Sequence, residues 1–142
     1  MKLKIKKLHR WAKTPEYAKR GDAGMDLFAV SEHNLKPGER DLVATGLAFE
    51  IEEGYEVQIR PRSGLAIKKG ISLVNSPGTI DAGYRGEIGI IMINHGQDDF
   101  EIKQGDKIAQ AVINKIEVGE IEELNKLSES ERGVEGFGST GF

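Results

Sequence analysis

One acid and one aromatic residue lie three positions apart in a segment rich in turn residues, at positions 75–87. Apolar runs at 71–74 and 88–93 flank the pair, which consists of Asp81 and Tyr84. Pro-Gly and Ala-Gly are turn signals, so the pattern predicts a hairpin whose tip carries both side chains. An acid at a turn between two buried strands is oriented by the core behind it, which suits a site residue.

A second acid, Asp26, interrupts the apolar stretch from Met25 to Val30. A carboxylate inside a short apolar strand is costly to bury unless it is hydrogen-bonded or faces an ion. Asp26 is therefore a candidate site residue, and a turn-capping Asp is the alternative.

An arginine and a serine follow the alternating stretch at 55–60, which has the pattern of a strand. Residues 65–69 can form one or two helical turns, with Ser63 as a suitable N-cap and Gly70 as a stop. Arg62 and Ser63 would then lie at a helix N-terminus, where backbone amides favour anions. The pattern fits a phosphate contact or an ordinary capped turn.

Gln110 is the polar interruption in the apolar stretch from Lys107 to Ile113. Such a glutamine is either hydrogen-bonded within the core or directed at a ligand, and both interpretations stay open here.

The C-terminal stretch 132–142 combines four glycines with two phenylalanines and an arginine. It cannot form a core by itself, which predicts a flexible arm that becomes ordered on another surface. Residues 136–141 match G-x-G-x-x-G, but no strand precedes them and no helix can follow, so the dinucleotide-binding interpretation is rejected. Its amides, hydroxyls and phenyl ring remain suited to phosphates and a base.

The elements that position these residues are short strands. Turn signals recur about every 8–12 residues and apolar residues alternate with polar ones, which predicts an antiparallel barrel or jelly roll in a single domain. The 18 glycines and 6% aromatic residues agree with many tight turns. Ile121, Leu124 and Leu127 fit either a short helix or an extended arm.

Composition excludes several classes of function. A net charge of -3 and a pI near 5.7 argue against nucleic-acid binding, which needs a basic face. The absence of cysteine excludes disulfides and thiolate catalysis. The three histidines lack metal-ligand spacing and are expected at the surface. No stretch has the roughly 20 apolar residues of a membrane span, so a cytoplasmic location is expected.

Five segments, taken in order, resemble the motifs of the trimeric deoxyuridine triphosphatases (dUTP pyrophosphatases). The segments are residues 23–29, 61–71, 75–87, 105–113 and 132–141. The resemblance covers nearly the whole chain, and five ordered motifs are far more specific than any one of them.

The resemblance implies a distorted jelly-roll barrel, with residues 1–127 as its body and 128–142 as a flexible arm that closes the active site. It also implies a homotrimer with sites at subunit interfaces. The implied reaction is Mg²⁺-dependent hydrolysis of dUTP to dUMP and pyrophosphate, which lowers dUTP and supplies dUMP for dTMP synthesis.

The same resemblance implies a role for each candidate residue. Asp81 matches the general base that activates the attacking water, Tyr84 the ring under the deoxyribose, and Asp26 a carboxylate that holds the metal's water shell. The uracil-reading group comprises Asn75, Gly78, Thr79 and Ile80. The phosphate-binding group comprises Arg62, Ser63, Gly64 and Gln110. In the arm, Arg132 matches a γ-phosphate contact, Phe137 the ring over uracil, and Gly138, Ser139 and Thr140 further phosphate contacts.

The residue chemistry agrees with this reaction, because phosphoanhydride hydrolysis needs charge neutralisation, positioning and one base rather than a covalent nucleophile. Two alternatives are a dCTP deaminase of the same fold and a non-catalytic jelly-roll protein that binds nucleotide.

Overall fold

The computed structural model describes residues 1–141, and over this range the chain forms ten strands and one short helix. The elements are β1 (Lys4–Lys7), β2 (Gly24–Phe28), β3 (His33–Leu35), β4 (Arg40–Glu50), β5 (Tyr55–Arg60), α1 (Ser63–Lys69), β6 (Ile71–Leu73), β7 (Gly78–Ile80), β8 (Glu87–Asn94), β9 (Phe100–Ile102) and β10 (Lys107–Lys115).

The strands form two four-stranded sheets and one two-stranded sheet, and every strand pair is antiparallel. The strand orders are β1-β4-β8-β6, β2-β10-β5-β7 and β3-β9. The all-β jelly-roll prediction is therefore confirmed. Within the described residues the hydrogen-bonded ladders stay as separate sheets rather than closing into one barrel.

A single hydrophobic core joins the two larger sheets. In β8, Ile88, Ile90 and Met92 alternate with more exposed residues, as expected for a strand with one buried face. They belong to the same cluster as Leu27 of β2 and Val57 of β5. Each such side chain contributes roughly 1.5–3 kcal/mol through burial, so this shared core fixes how the sheets are placed.

The predicted hairpin around residues 75–87 is confirmed in its two flanking strands, but its connection is more than a turn because it contains the short strand β7. β7 hydrogen-bonds to β5 and β8 hydrogen-bonds to β4 and β6, so β7 and β8 belong to different sheets. The strands that do pair are β6 and β8, with Leu73 opposite Met92. Residues 74–86 therefore leave one sheet, add a short strand to the other, and return. We call residues 81–86 the crossover segment.

After β10 ends at Lys115, residues 116–141 form no helix or strand and are exposed throughout. Of the two predictions for Ile121, Leu124 and Leu127, the extended arm is the one that agrees with this conformation. Phe142, included in the predicted arm, lies outside the described residues. Over residues 1–141, no helix has the length and apolar character needed to cross a membrane.

Candidate active site

A polar cleft of about 340 Å³ contains the predicted phosphate-binding group and Asp26. It forms because β10 lies between β2 and β5 in one sheet: Gln110 of β10 is opposite Asp26 on one side and opposite Arg60 on the other. The chain leaves β5 at Arg60 and enters α1. The cleft is lined by Ala18, Asp22, Ala23, Gly24, Asp26, Arg62, Ser63, Gly64 and Gln110.

Asp26 is buried and paired with two cations. Its Oδ2 lies 2.7 Å from Nζ of Lys107, and its Oδ1 lies 3.4 Å from Nε of Arg62. Its backbone amide donates to the carbonyl of Glu16, so the residue belongs to a sheet rather than capping a turn. The turn-capping alternative is therefore wrong. Only 12% of the Asp26 side chain is exposed, and the two cations offset the cost of burying its charge.

Gln110 is hydrogen-bonded within the protein, as the first of its two alternatives has it, and it also faces the cleft. Its Nε2 donates to the Pro61 carbonyl at 2.9 Å, and its half-buried side chain also lines the cleft. A Cβ on the neighbouring Gly24 would collide with the Gln110 amide, so this glycine leaves the space that the glutamine occupies.

The capping prediction for Ser63 is wrong. The N-cap of α1 is Arg62, which makes no side-chain capping bond, and Ser63 is the first helical residue. Its side chain is exposed beside the cleft and does not serve as the N-cap of α1. The predicted stop at Gly70 is confirmed, since that residue is left-handed with a φ of 69°.

The predicted uracil-reading group lies on and before β7. Gly78 is buried opposite Ile59, and Thr79 and Ile80 are opposite Gln58 and Val57. A Cβ at Gly78 would lie 3.1 Å from the Asn75 amide nitrogen, so the Asn75 side chain packs over this glycine.

Asp81 and Tyr84 occupy the crossover segment, where both are exposed. A backbone turn joins them, because the Tyr84 amide donates to the Asp81 carbonyl at 3.0 Å. The Tyr84 hydroxyl donates to the Glu87 carbonyl at 3.0 Å. Arg85 braces the same turn, donating from Nη1 to the carbonyls of Ala82 and Tyr84.

Within one chain, Asp81 and the cleft lie toward opposite ends of β5. Ile80, next to Asp81, pairs with Val57, whereas Gln110 pairs with Arg60. Those two positions are three residues apart, or roughly 10 Å of extended strand. Asp81 lies past the Val57 position and Arg62 lies past Arg60, so the two residues lie in opposite directions along β5.

The candidate residues of the arm lie in the exposed C-terminal stretch, away from the core. Arg132, Gly138, Ser139 and Thr140 are exposed, and Phe137 exposes its whole ring. The candidate residues thus form three groups in a single chain: the cleft, the segment from Asn75 to Tyr84, and the arm.

Sequence reasoning missed two residues that contact the candidate site. Lys107 holds Asp26 and lies 5.8 Å from the centre of the Phe28 ring. Its signal is the pairing of an acid and a base across β2 and β10, which becomes visible only when the strand order is known. Arg85 had no such signal, since its partners are backbone carbonyls.

A β jelly roll with a charged cleft and a separate acid-bearing segment defines a class of proteins suited to binding a phosphorylated ligand. The model of the dUTPase family matches residues 10–141, and the chain belongs to that family.

Relatives match over almost their entire length. The deoxyuridine 5'-triphosphate nucleotidohydrolase of Nautilia profundicola is 59% identical over 99% of both chains. The corresponding protein of Clostridium tetani is 58% identical, over 98% of this chain and 96% of its own.

Solved structures agree with the fold. The dUTPase of Staphylococcus bacteriophage 80alpha with dUPNHPP has a TM-score of 0.93 and 31% identity, covering 99% of each chain. A mutant dUTPase from phage phi11 of S. aureus, described for its coordination of a structural Mg(II) ion, has a TM-score of 0.83 and 28% identity. That match covers 89% of this chain and 98% of the phage protein.

Proposed function

We propose that this protein hydrolyses dUTP to dUMP and pyrophosphate. The observation that carries the proposal is the cleft, where Arg62, Ser63 and Gln110 converge beside a buried, cation-paired carboxylate. Membership of the dUTPase family and 59% identity to a named dUTP nucleotidohydrolase support the substrate. The reaction lowers dUTP and supplies dUMP for dTMP synthesis. The cytoplasmic location stays a prediction.

The cleft binds the triphosphate in this proposal. The Arg62 guanidinium supplies planar donors for phosphate oxygens. Ser63 and Gly64 supply a hydroxyl and backbone amides at the exposed start of α1, and the Gln110 amide completes the lining. These groups neutralise and orient the phosphates, which is most of what phosphoanhydride hydrolysis requires.

Mg²⁺ is the proposed cofactor, with Asp26 contacting it through water. Over residues 1–141, no cluster of three or more His, Cys, Asp or Glu side chains could hold a metal by itself. A single carboxylate fits Mg²⁺ that is held mainly by phosphate oxygens and keeps several waters. In this structure the Lys107 ammonium lies 2.7 Å from Oδ2 of Asp26, so the carboxylate already faces positive charge. When bound, the ion supplies charge neutralisation at the phosphates.

The segment from Asn75 to Tyr84 binds the nucleoside and the attacking water. Asp81 is the proposed general base, since its exposed carboxylate needs only a water and the α-phosphorus within reach. Tyr84 is the proposed ring under the deoxyribose, which leaves no room for a 2′-hydroxyl. Asn75 and the backbone from Gly78 to Ile80 read uracil.

A homotrimer brings the three groups together. Asp81 and the cleft of one chain lie apart along β5, so one site takes them from two subunits. The arm exposes large apolar side chains, including Val134 and Phe137, which suits packing on another copy. In this proposal residues 1–127 are the body and residues 128–142 close a neighbour's site through Arg132, Phe137, Gly138, Ser139 and Thr140.

A nucleotide panel tests the activity directly. The purified protein with Mg²⁺ is incubated separately with dUTP, dCTP and dTTP, and pyrophosphate and ammonia are measured. The proposal expects rapid pyrophosphate release from dUTP alone. Ammonia from dCTP would indicate the deaminase alternative, and absence of turnover would indicate a non-catalytic nucleotide-binding protein; either result contradicts the proposal.

A further inference from the structure

Glu87, the first residue of β8, makes one hydrogen bond to the crossover segment and one to β4. Its backbone carbonyl accepts the Tyr84 hydroxyl at 3.0 Å. Its side-chain Oε1 accepts the backbone amide of Gly46, in β4, at 2.8 Å. One residue therefore links the tyrosine to the neighbouring strand.

The strand that receives the carboxylate is irregular at this place. Ala44 is opposite Gly89 and Ala48 is opposite Glu87, so residues 45–47 of β4 bulge opposite the single residue Ile88. Gly46 has a φ of 66°, a conformation that favours glycine. A bulge redirects backbone groups out of the regular ladder, and here the redirected Gly46 amide is satisfied by the Glu87 carboxylate rather than by a strand partner.

The bulge is itself rigid. The buried Thr45 hydroxyl donates to the Ile88 carbonyl at 2.6 Å. The Gly46 carbonyl accepts the Leu8 amide at 2.7 Å. A Cβ at Gly46 would lie 2.8 Å from that of His9 and 3.0 Å from that of Ala12, so the surrounding atoms pack closely. The carboxylate is thus anchored to a fixed point.

The tyrosine is confined from its other side by Gly86. A Cβ on that residue would collide with the Tyr84 hydroxyl and lie 2.6 Å from the ring carbon that carries it. The ring therefore lies directly over the Gly86 backbone, with its hydroxyl on Glu87. No side chain of ordinary size at position 86 is compatible with this ring position.

We infer that Glu87 is a positioning residue that sets discrimination against ribonucleotides. It does so by linking the Tyr84 hydroxyl, bonded to its carbonyl, to the Gly46 bulge of β4, bonded to its side chain. The inference rests on the proposed function, in which the Tyr84 ring excludes a 2′-hydroxyl. Glu87 itself contacts neither the sugar nor the phosphates; it fixes where the ring lies.

The test is the ratio of kcat/KM for dUTP to kcat/KM for UTP. Glu87→Ala removes the anchor, Gly86→Ala displaces the ring sterically, and Tyr84→Phe removes only the hydroxyl bond. Each is expected to lower the ratio, by roughly threefold to tenfold for the loss of one hydrogen bond. Glu87→Gln keeps an oxygen that can accept from Gly46 and should restore most of the ratio lost in Glu87→Ala.

Ile102→Val is the matched control, because it removes a buried methylene in β9, away from the crossover segment. It lowers stability but is expected to leave the ratio unchanged. If Glu87→Ala keeps the wild-type ratio while the wild type hydrolyses dUTP, the inference is overturned and the proposed function stands, whatever Gly86→Ala does. A wild type that does not hydrolyse dUTP overturns the proposed function instead.

Discussion

At the scale of single residues, two acids of the same type have different surroundings, and these explain the different roles proposed for them. Asp26 is buried between Lys107 and Arg62, so its charge is already compensated. Asp81 is exposed on the crossover segment, where a substrate and a water can reach it. A buried, paired acid is fixed in place and kept ionised among cations, whereas an accessible acid suits taking a proton from a water.

Replacing Asp81 by Asn tests the second role. The amide keeps the size of the side chain but is not a base, so dUTP binding should stay close to normal while kcat falls by roughly 10²–10⁴-fold. Isothermal titration with a non-hydrolysable dUTP analogue and steady-state kinetics measure the two effects separately. Retained turnover would remove Asp81 as the base, and equal losses in binding and kcat/KM would make it a binding residue.

Residue types alone identified Asp26 and Gln110 as candidates, because a polar group in an apolar strand requires a partner, and Arg62 because it would lie at a helix N-terminus. They did not identify the partners. Lys107 was missed because its contact with Asp26 crosses from β10 to β2, and that neighbourhood depends on the strand order of the sheet. Ser63 was misassigned because sequence places it one residue from the cap that the backbone uses.

At the scale of elements, the close approach of β2 to β10 shapes the cleft. Gly24 lies opposite Val112, and the Gln110 side chain crosses the space above it. The glycine therefore belongs to the binding surface although it carries no functional group.

Gly24→Ala should push the Gln110 amide off the Pro61 carbonyl and weaken phosphate binding. We expect KM for dUTP to rise roughly tenfold with a smaller change in kcat, as for the loss of a binding contact. Gly119→Ala is the control, since a Cβ there meets nothing within 4 Å. An unchanged KM in Gly24→Ala would show that the placement of Gln110 does not matter for binding.

The small sheet of β3 and β9 is tied to β4 by a pH-dependent contact. Nδ1 of His33 lies 2.6 Å from Oδ2 of Asp41, and this hydrogen bond lowers the pKa of Asp41 below its ordinary value of 3.8. A lowered pKa in the folded state adds stability above the unfolded value and loses it as pH falls through the folded one.

Asp41→Asn should therefore lower Tm at neutral pH, by a small amount because Asp41 is about half exposed. The difference from wild type should shrink below about pH 4, where wild-type Asp41 also becomes neutral. Thermal melts from pH 3 to 7 measure the difference. A constant gap across that range would show that the contact does not depend on the Asp41 charge.

The element types and the pairing of the apolar runs at 71–74 and 88–93 could be predicted from the sequence, and the pairing of β7 could not. Alternation in β4, β5 and β8 indicates strands locally, and Gly70 marks the end of α1. Whether β7 pairs with β8 or with β5 depends on which sheet has room for a short strand at its edge. That choice is made by the packing of the whole core, so the turn residues next to Asp81 indicated the connection between β6 and β8 but not the strand within it.

At the scale of the whole molecule, the same pairing keeps two groups of the proposed site apart within one chain. β7 places the Asp81 segment toward one end of β5, and α1 places Arg62 past the other end. The exposed arm contacts neither group closely enough to become buried. A symmetric assembly brings these groups together if each site combines groups from different copies.

Mixing two inactive variants tests most directly whether each active site combines groups from different subunits. Asp81→Asn chains keep an intact cleft, and Arg62→Ala chains keep an intact Asp81, so each alone should hydrolyse dUTP very slowly. Trimers assembled at random from equal amounts should recover roughly a quarter of wild-type activity per site, because both intact groups meet in one site of four. Mixed trimers identified by mass but without recovered dUTP hydrolysis would contradict a site shared between subunits.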